Sequence, residues 1–352
     1  MALTGANGRQ ELVALYGADP SGLSYASTID RSVVHKHAVE AVMVTDSLRV
    51  GEDEYLVAGF LPRLYTPSSR AISSRFCRYD FGTLFELIRQ ATLVVTHQHL
   101  EIPADWATLL FDLTLEAVDV SATGPMVKPV KTICKLHTDV VYNKRGVPKN
   151  SAFVGEVFAD DLLIGRASAS GQVTTGEKYA LARKVGRDSL LQRNPSPAAG
   201  AVVSIDPELI GMRPGTSTLI EEIAAEPQPG RYRSRLSVDQ GDLFYYDHPI
   251  GHVPGVVGAE GLRQAVLVAA CSEHPDLSPV ETFVRRFEGK FSGFLEPDFD
   301  LDIGVDLGGP RPGRCGTVVP AQAVLSQFGT ELLHAECEIE FGSARTDQDG
   351  TG

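Results

Sequence analysis

Two short stretches of the chain repeat one arrangement of charged and amide side chains: Glu86-x-x-Arg89-Gln90-Ala91 and Glu260-x-x-Arg263-Gln264-Ala265. A Glu and an Arg three residues apart share one face of a helix, where they usually form an intrahelical ion pair worth about 0.2–0.5 kcal/mol. Both stretches are mostly apolar, however, and a charge buried in such a run needs a partner or a task. The tasks open to these residues are chemical. A buried carboxylate can have a raised pKa suited to general-base work, and an arginine can hold a phosphate through its planar donor fork.

The stretch "DHPIGHVPGVVGAEGLRQA" (247–265) adds to this set. Asp247, His248 and His252 lie in a loop that runs through Pro254-Gly255 into the segment bearing Glu260 and Arg263. A Pro-Gly just before a helix lets backbone N–H groups at Gly255 face a bound oxygen, and such groups can stabilise the oxyanion of a thioester under attack. His248 could polarise the thioester carbonyl, or Asp247-His248 could simply be a loop turn with a capping carboxylate. His252 reads as structural. His35-x-His37 and His97-x-His99 have no Cys or carboxylate at ligand spacing, so no metal is expected. The Gly-rich run "DLGGPRPG" follows no phosphate-loop pattern, and no cofactor is expected.

The elements that must carry these residues follow from periodicity. From Phe81 to His97 the apolar positions Leu84, Leu87, Ile88, Ala91, Val94 and Val95 recur at three- and four-residue steps, which predicts a buried helix. A second helix is expected from Val256 to about Cys271. Strand-like runs precede each helix and several more follow it, the order of an α+β unit with a helix against a sheet. The helical motifs map onto each other with an offset of 260 − 86 = 174, and a hairpin-like pair (Phe158, Asp161, Leu162, Leu163 against Phe328, Glu331, Leu332, Leu333) maps at 328 − 158 = 170. Two anchors in the same order predict a tandem duplication with one indel.

Composition removes some classes of function. A net charge of −13 disfavours nucleic acid and anionic membranes as partners. No basic-then-apolar leader of secretory type stands at the start, and the apolar runs are too short to span a bilayer. Cys77, Cys134, Cys271, Cys315 and Cys337 are scattered without a Cys-x-x-Cys, so they read as free thiols of a cytoplasmic protein. The basic island at 127–149 (Lys128, Lys131, Lys135, Lys144, Arg145, Lys149) is either a solvated hairpin or a place for an acidic carrier or a phosphate.

The loop and helix at 247–265 resemble hot-dog thioester enzymes such as the β-hydroxyacyl thioester dehydratases. A closer likeness combines the tandem halves with "VHKHAVEAVMVTD", "YDFGTLFELIRQA", "VGRD" and "DHPIGHVPG…EGLRQA". Together these resemble the A-factor synthase (AfsA) family over roughly residues 33–341. The resemblance implies a double hot dog, each half a long helix wrapped by an antiparallel sheet. It also implies a reaction: a β-ketoacyl group passes from an acyl carrier protein thioester to the hydroxyl of dihydroxyacetone phosphate, and the ester condenses to a butenolide phosphate, a signal-molecule precursor. On matching positions it implies Glu86 and Glu260 as functional acids and Arg263 as the functional arginine; with the residues read above, the expected catalytic groups are Glu260, Glu86 and His248, and the expected substrate-binding ones Arg263, Arg89, Asp247 and Gly255. The alternatives are a thioester dehydratase or hydratase, and a non-catalytic acyl-binding hot dog. The expected organisation is a leader at 1–32, a first hot dog at 33–175, a connector at 176–231, a second hot dog at 232–341 and a polar tail at 342–352.

Overall fold

The structure, a computed structural model, describes residues 6–62, 81–118, 129–193, 204–242, 244–247, 250–280 and 282–342. Helix α1 (Ala6–Tyr16) leads into strands β1 (Val44–Arg49) and β2 (Glu54–Leu61), then the predicted helix α2 (Phe81–Val94), which ends in one π-helical turn, Val95–His99. Four strands follow: β3 (Ala107–Ala117), β4 (Val130–Tyr142), β5 (Pro148–Ala159) and β6 (Leu162–Thr174). Helix α3 (Gly176–Arg193) connects to the second half, with β7 (Ala224–Ala225), β8 (Arg231–Arg235), α4 (Gly255–Glu273), β9 (Thr282–Phe291), β10 (Asp302–Leu307), β11 (Arg311–Pro312), β12 (Gly316–Gln327) and β13 (Thr330–Gly342).

All pairings are antiparallel, in the order β1-β2-β4-β5-β6-β3-β9-β13-β12-β10-β8-β7, with β11 beside β12. The order reads the same from either end. Each half is a hot dog whose strand after the helix lies at the shared edge, and β3 pairs with β9 to make the sheet continuous. Opposite charges face each other on that junction, Asp112 against Lys290 and Glu116 against Arg286. Cross-strand pairs of this kind favour one register by about 0.2–1 kcal/mol each, and a one-residue slip would turn the buried Leu113 and Leu115 outward. Helices α2 and α4 lie against the inner face of the sheet, and one apolar core runs through both halves. Phe81 of the first half meets Phe287 of the second with ring centroids 4.8 Å apart.

The duplication extends further than the motifs suggested. Asp30 caps a 3-10 turn at Arg31–Val34 that closes on His35 at φ 54°, and Asp206 caps one at Pro207–Ile210 that closes on Gly211 at φ 71°. Ile29 N–H donates to Val44 O, and Ile205 N–H donates to Ile220 O. These pairs share an offset of 211 − 35 = 176. The second repeat therefore reaches back to Ile205, inside the segment expected as a connector at 176–231. Pro207 in the first turn and the left-handed Gly211 at the end shape a short helix there.

The rest of that connector holds the 18-residue helix α3. Its inward stripe is Tyr179, Arg183, Arg187 and Leu190, while Leu181 and Val185 point to solvent, so no apolar period marked it in the sequence. The expected leader at 1–32 also contains structure. Tyr16, at the end of α1, is buried against Leu56, Ile133 and Phe158, and its hydroxyl donates to Asp161 Oδ1 at 2.7 Å. The hairpin anchor is real but shifted: Asp160 and Asp161 (φ 44° and 68°) match Phe328 and Gly329 (φ 52° and 74°), an offset of 328 − 160 = 168. A two-residue hairpin turn of this type needs two positive φ angles, so Phe328 is a turn residue and not the partner of Phe158. Among the described residues no helix is long and apolar enough to cross a membrane.

Candidate active site

Each central helix buries its Glu-x-x-Arg-Gln motif in the same way. Glu86 is 6% exposed and Glu260 3%. Arg89 grips Glu86 with two parallel bonds, Nε to Oε2 and Nη2 to Oε1, both 2.8 Å. Arg263 grips Glu260 likewise at 2.7 and 2.6 Å. Gln90 donates to Glu86 Oε1 at 2.7 Å and accepts the Met43 N–H at 2.8 Å. Gln264 donates to Glu260 Oε1 at 3.0 Å and accepts the Leu219 N–H at 2.8 Å. The motif thus ties each helix to the start of its own repeat. The intrahelical pair is present in both halves, in a buried and bidentate form.

Beyond that common frame the halves differ. With the offset of 176, His35 and Lys36 stand where the second half has Gly211 and Met212. Lys36, itself buried, reaches Glu86 Oε1 at 3.3 Å and Asp247 Oδ1 at 3.7 Å, linking one half to the other. Asp247 Oδ2 also accepts the N–H groups of His37 (2.7 Å) and Ala38 (3.2 Å). His35 sits in the left-handed region, an uncommon conformation for a residue with a side chain.

Glu86, Arg89, Lys36 and Asp247 line a cavity of about 490 Å³. Its walls are largely apolar, including Phe85, Leu110, Leu113, Phe244, Phe291 and Leu295. The second half contributes Pro254, Gly255 and Val256 at the start of α4. No side chain caps that helix, and the N–H groups of Val257 and Gly258 both return to Pro254 O. The N–H groups of Gly255 and Val256 are thereby left for the cavity, with the positive end of the helix behind them. The Pro-Gly loop therefore works opposite Glu86 of the other half, and Glu260 and Arg263 do not line this cavity. Glu260, the acid expected first, is thus absent from the lining of this cavity, and Glu86 of the other half is part of it. A Cβ at Gly255 would come within 3.1 Å of the Phe291 ring, which would have to shift to admit a side chain there.

His252 and Tyr179 line the same cavity. The Tyr179 hydroxyl lies 3.0 Å from His252 Nδ1, so His252, read as structural, belongs to the site, and α3 supplies its partner. Asp247 and Gly255 are at the cavity as expected, and His248 lies outside the described residues. Lys36, His35, His252 and Tyr179 are the additions. The repeat could have revealed two of them, since His35-Lys36 breaks the match with Gly211-Met212; nothing local could have revealed Tyr179. Of the basic island, Lys131, Lys144, Arg145 and Lys149 are exposed on the β4–β5 hairpin, Lys135 is half-buried and Lys128 lies outside the described residues.

Burial pushes the Glu86 carboxyl up, but Arg89 and Lys36, with hydrogen bonds from Arg89 and Gln90, outweigh it and hold the group down at about 2. Burial, and then the charge of Arg183, lower His252 to about 4 against a smaller opposite pull from Glu296. Burial raises the Tyr179 phenol to about 12. The His252 imidazole is neutral in the fold at neutral pH, and the unfolded chain takes up its proton first on acidification. Its effect on stability is nil above about pH 6.5 and becomes a loss as pH falls toward 4. Glu86 adds stability that is complete above its ordinary range and is lost as pH falls toward 2. Thermal melts of wild type and His252→Gln should therefore diverge between pH 6.5 and 4, by on the order of 2 kcal/mol in the wild type's decline. Parallel curves would mean that the imidazole is not held neutral by the fold.

A family model described as the A-factor biosynthesis hotdog domain matches residues 18–175 and 194–308. Its second segment begins before Ile205, in keeping with the internal repeat. A relative from Streptomyces virginiae, named 2-oxo-3-(phosphooxy)propyl 3-oxoalkanoate synthase, is 26% identical over 248 residues, which cover 68% of this chain and 76% of the relative. Among solved structures, the 12:0-ACP thioesterase from Umbellularia californica is similar with 10% identity and a TM-score of 0.44, covering 81% of this chain and 94% of its own. An acyl-CoA thioesterase II from Mycobacterium marinum has 11% identity and a TM-score of 0.42, covering 86% and 97%.

Proposed function

The chain belongs to the A-factor biosynthesis hotdog family, and on that premise we propose that it transfers a β-ketoacyl group from a thioester to the hydroxyl of dihydroxyacetone phosphate. The observation that carries this reading is a cavity whose lining joins apolar side chains, the N-terminus of α4 and the cations Lys36 and Arg89. The name of the Streptomyces relative describes an ester of that composition, and the residues fit its parts. The apolar wall takes the acyl chain. The thioester carbonyl oxygen faces the Gly255 and Val256 N–H groups, which stabilise the negative charge that develops on it during attack.

Arg89 uses Nε and Nη2 on Glu86 and Val34 O. Its Nη1 has no partner among the described residues, and together with Lys36 it is the phosphate ligand in this proposal. Glu86 then serves to hold Arg89 and Lys36 in place. In the second step the carbon between the two carbonyls of the ester gives up a proton and attacks the acceptor ketone, whose oxygen takes a proton; this C–C bond closes the five-membered ring, and loss of the new hydroxyl with the remaining proton on the attacking carbon, as water, gives the butenolide. An acyl carrier protein is the proposed thioester donor, the Glu260–Arg263 pair has a supporting role, and the site needs no metal or cofactor for these steps.

The test is mass spectrometry of products from purified protein, a β-ketoacyl thioester and dihydroxyacetone phosphate, with parallel mixtures lacking the acceptor or holding a β-hydroxyacyl thioester. An ester or butenolide phosphate formed only with acceptor is the expected result. Water loss from the hydroxyacyl thioester instead would move the protein to the dehydratases. Arg89→Lys keeps the charge but loses the fork, so KM for the phosphorylated acceptor should rise about tenfold or more, equivalent to about 1.4 kcal/mol. An unchanged KM would remove Arg89 from the phosphate site.

A further inference from the structure

The reading above leaves one step without a residue: something must take the proton from the attacking hydroxyl. Glu86 is poorly suited. Its Oε1 already accepts from Arg89 and Gln90 and pairs with Lys36, and its Oε2 accepts from Arg89. The remaining cavity-lining groups on the second half's side include an aromatic cluster. His252, Tyr179 and Phe294 meet edge to face, with ring centroids 5.3 to 6.0 Å apart.

His252 is unusually well fixed for a loop residue. Its neighbour Val253 donates to Leu295 O at 2.8 Å, and Gly251 O accepts from Arg183. Arg183 is itself held by the buried Glu296 through bonds of 3.1 and 2.9 Å, and Arg187 adds a third at 2.8 Å. Gln327 secures Glu296 in turn by accepting its backbone N–H at 3.0 Å. A helix outside both hot dogs is therefore anchored by a buried carboxylate at the point where its tyrosine reaches the histidine.

We propose that His252 is the catalytic base of the transfer and that Tyr179 orients it, so that α3 completes the active site. This rests on the transferase reading. Tyr179 Oη lies 3.0 Å from Nδ1 and 3.4 Å from Nε2; with Nδ1–H donating to Oη through the shorter contact, Nε2 keeps a lone pair for the substrate. The acceptor hydroxyl gives its proton to Nε2 as its oxygen bonds to the thioester carbonyl carbon. The tetrahedral oxyanion lies on the α4 N-terminus. Its collapse breaks the C–S bond, and Nε2 returns the proton to the departing sulfur, leaving a thiol and the ester. The fold keeps the imidazole unprotonated at neutral pH, so the lone pair is available before substrate arrives.

The experiment measures ester formation and, separately, binding of a non-hydrolysable β-ketoacyl thioether for wild type, His252→Gln and Tyr179→Phe. His252→Gln should lower kcat at least about 100-fold, the usual share of a general base, with thioether affinity within about threefold of wild type. Tyr179→Phe keeps the ring against Phe294 and should lower kcat about tenfold at unchanged KM. It should also displace the acid limb of the pH profile, which reports His252 under the charges of Arg183 on α3 and Glu296 beyond β9, in a cavity also lined by Lys36, Glu86, Arg89 and Asp247. If either variant loses binding and turnover in equal measure, or if His252→Gln turns over at half the wild-type rate, the assignment fails while the transferase stands. Wild type that binds the thioether but forms no ester with any acceptor would overturn the transferase reading and this base with it.

Discussion

Glu86→Ala should destabilise the fold by about 3–5 kcal/mol and abolish transfer. The carboxylate is the shared counter-ion of two cations: Arg89 through two bonds of 2.8 Å and Lys36 at 3.3 Å. Removing one partner of a buried ion pair leaves the other charge uncompensated, which costs far more than the net worth of the intact pair. Gln90 also loses one of its two acceptors, keeping only Ala41 O at 2.8 Å. Urea titration at neutral pH measures the first effect and product formation the second. Glu86→Gln separates them, since it keeps hydrogen-bonding capacity but not charge, and should recover part of the stability and little of the activity. A Glu86→Ala protein with wild-type stability would mean that Arg89 and Lys36 find other partners, and the site would need redrawing.

Lys36→Met is the sharper test of function because the molecule contains its own control. The second repeat carries Met212 at the matching position and keeps Glu260, Arg263 and Gln264 in the same hydrogen-bonded arrangement. The first repeat should therefore tolerate methionine with a stability change within about 1 kcal/mol, the range of a well-accommodated substitution. Asp247 would lose its lysine but keep the N–H groups of His37 and Ala38. If Lys36 binds the acceptor's phosphate, transfer to dihydroxyacetone phosphate should fall about 10- to 100-fold, the worth of one charged hydrogen bond of about 1.5–3 kcal/mol. Unphosphorylated dihydroxyacetone should be affected much less. Equal losses with both acceptors would assign Lys36 to the positioning of Glu86. Full activity would show that the cation has no part in the reaction.

These expectations depend on relations of different reach. Periodicity is local, so the helix from Phe81 could be read from neighbouring residues, and the observed α2 begins there. The repeated Glu-x-x-Arg-Gln motif disclosed the duplication for the same reason. Both copies make the same hydrogen bonds within their own halves, so the same residues were kept twice. The turns at 207–211 and the helix α3 were missed because neither has an apolar period. One is shaped by a proline, an aspartate cap and a left-handed glycine; the other is held by a polar stripe on a single buried glutamate.

Residue order alone was enough for a duplicated α+β fold, which the family resemblance made a double hot dog, for the placement of Glu86, Arg89, Glu260 and Arg263 on two buried helices, and for a Pro-Gly helix start. It could not tell which carboxylate that helix start would serve. Glu260 follows Gly255 by five residues, and Glu86 precedes it by 169 (255 − 86 = 169), yet Glu86 shares the cavity with Gly255. The pairing of β3 with β9 makes the difference, because it sets the halves edge to edge and brings the start of α4 against the flank of α2. Side chains five apart on one helix do not converge on a common point, whereas two helices packed across a continuous sheet can close a pocket between them. The loop and its partner carboxylate were therefore joined only when the chain folded.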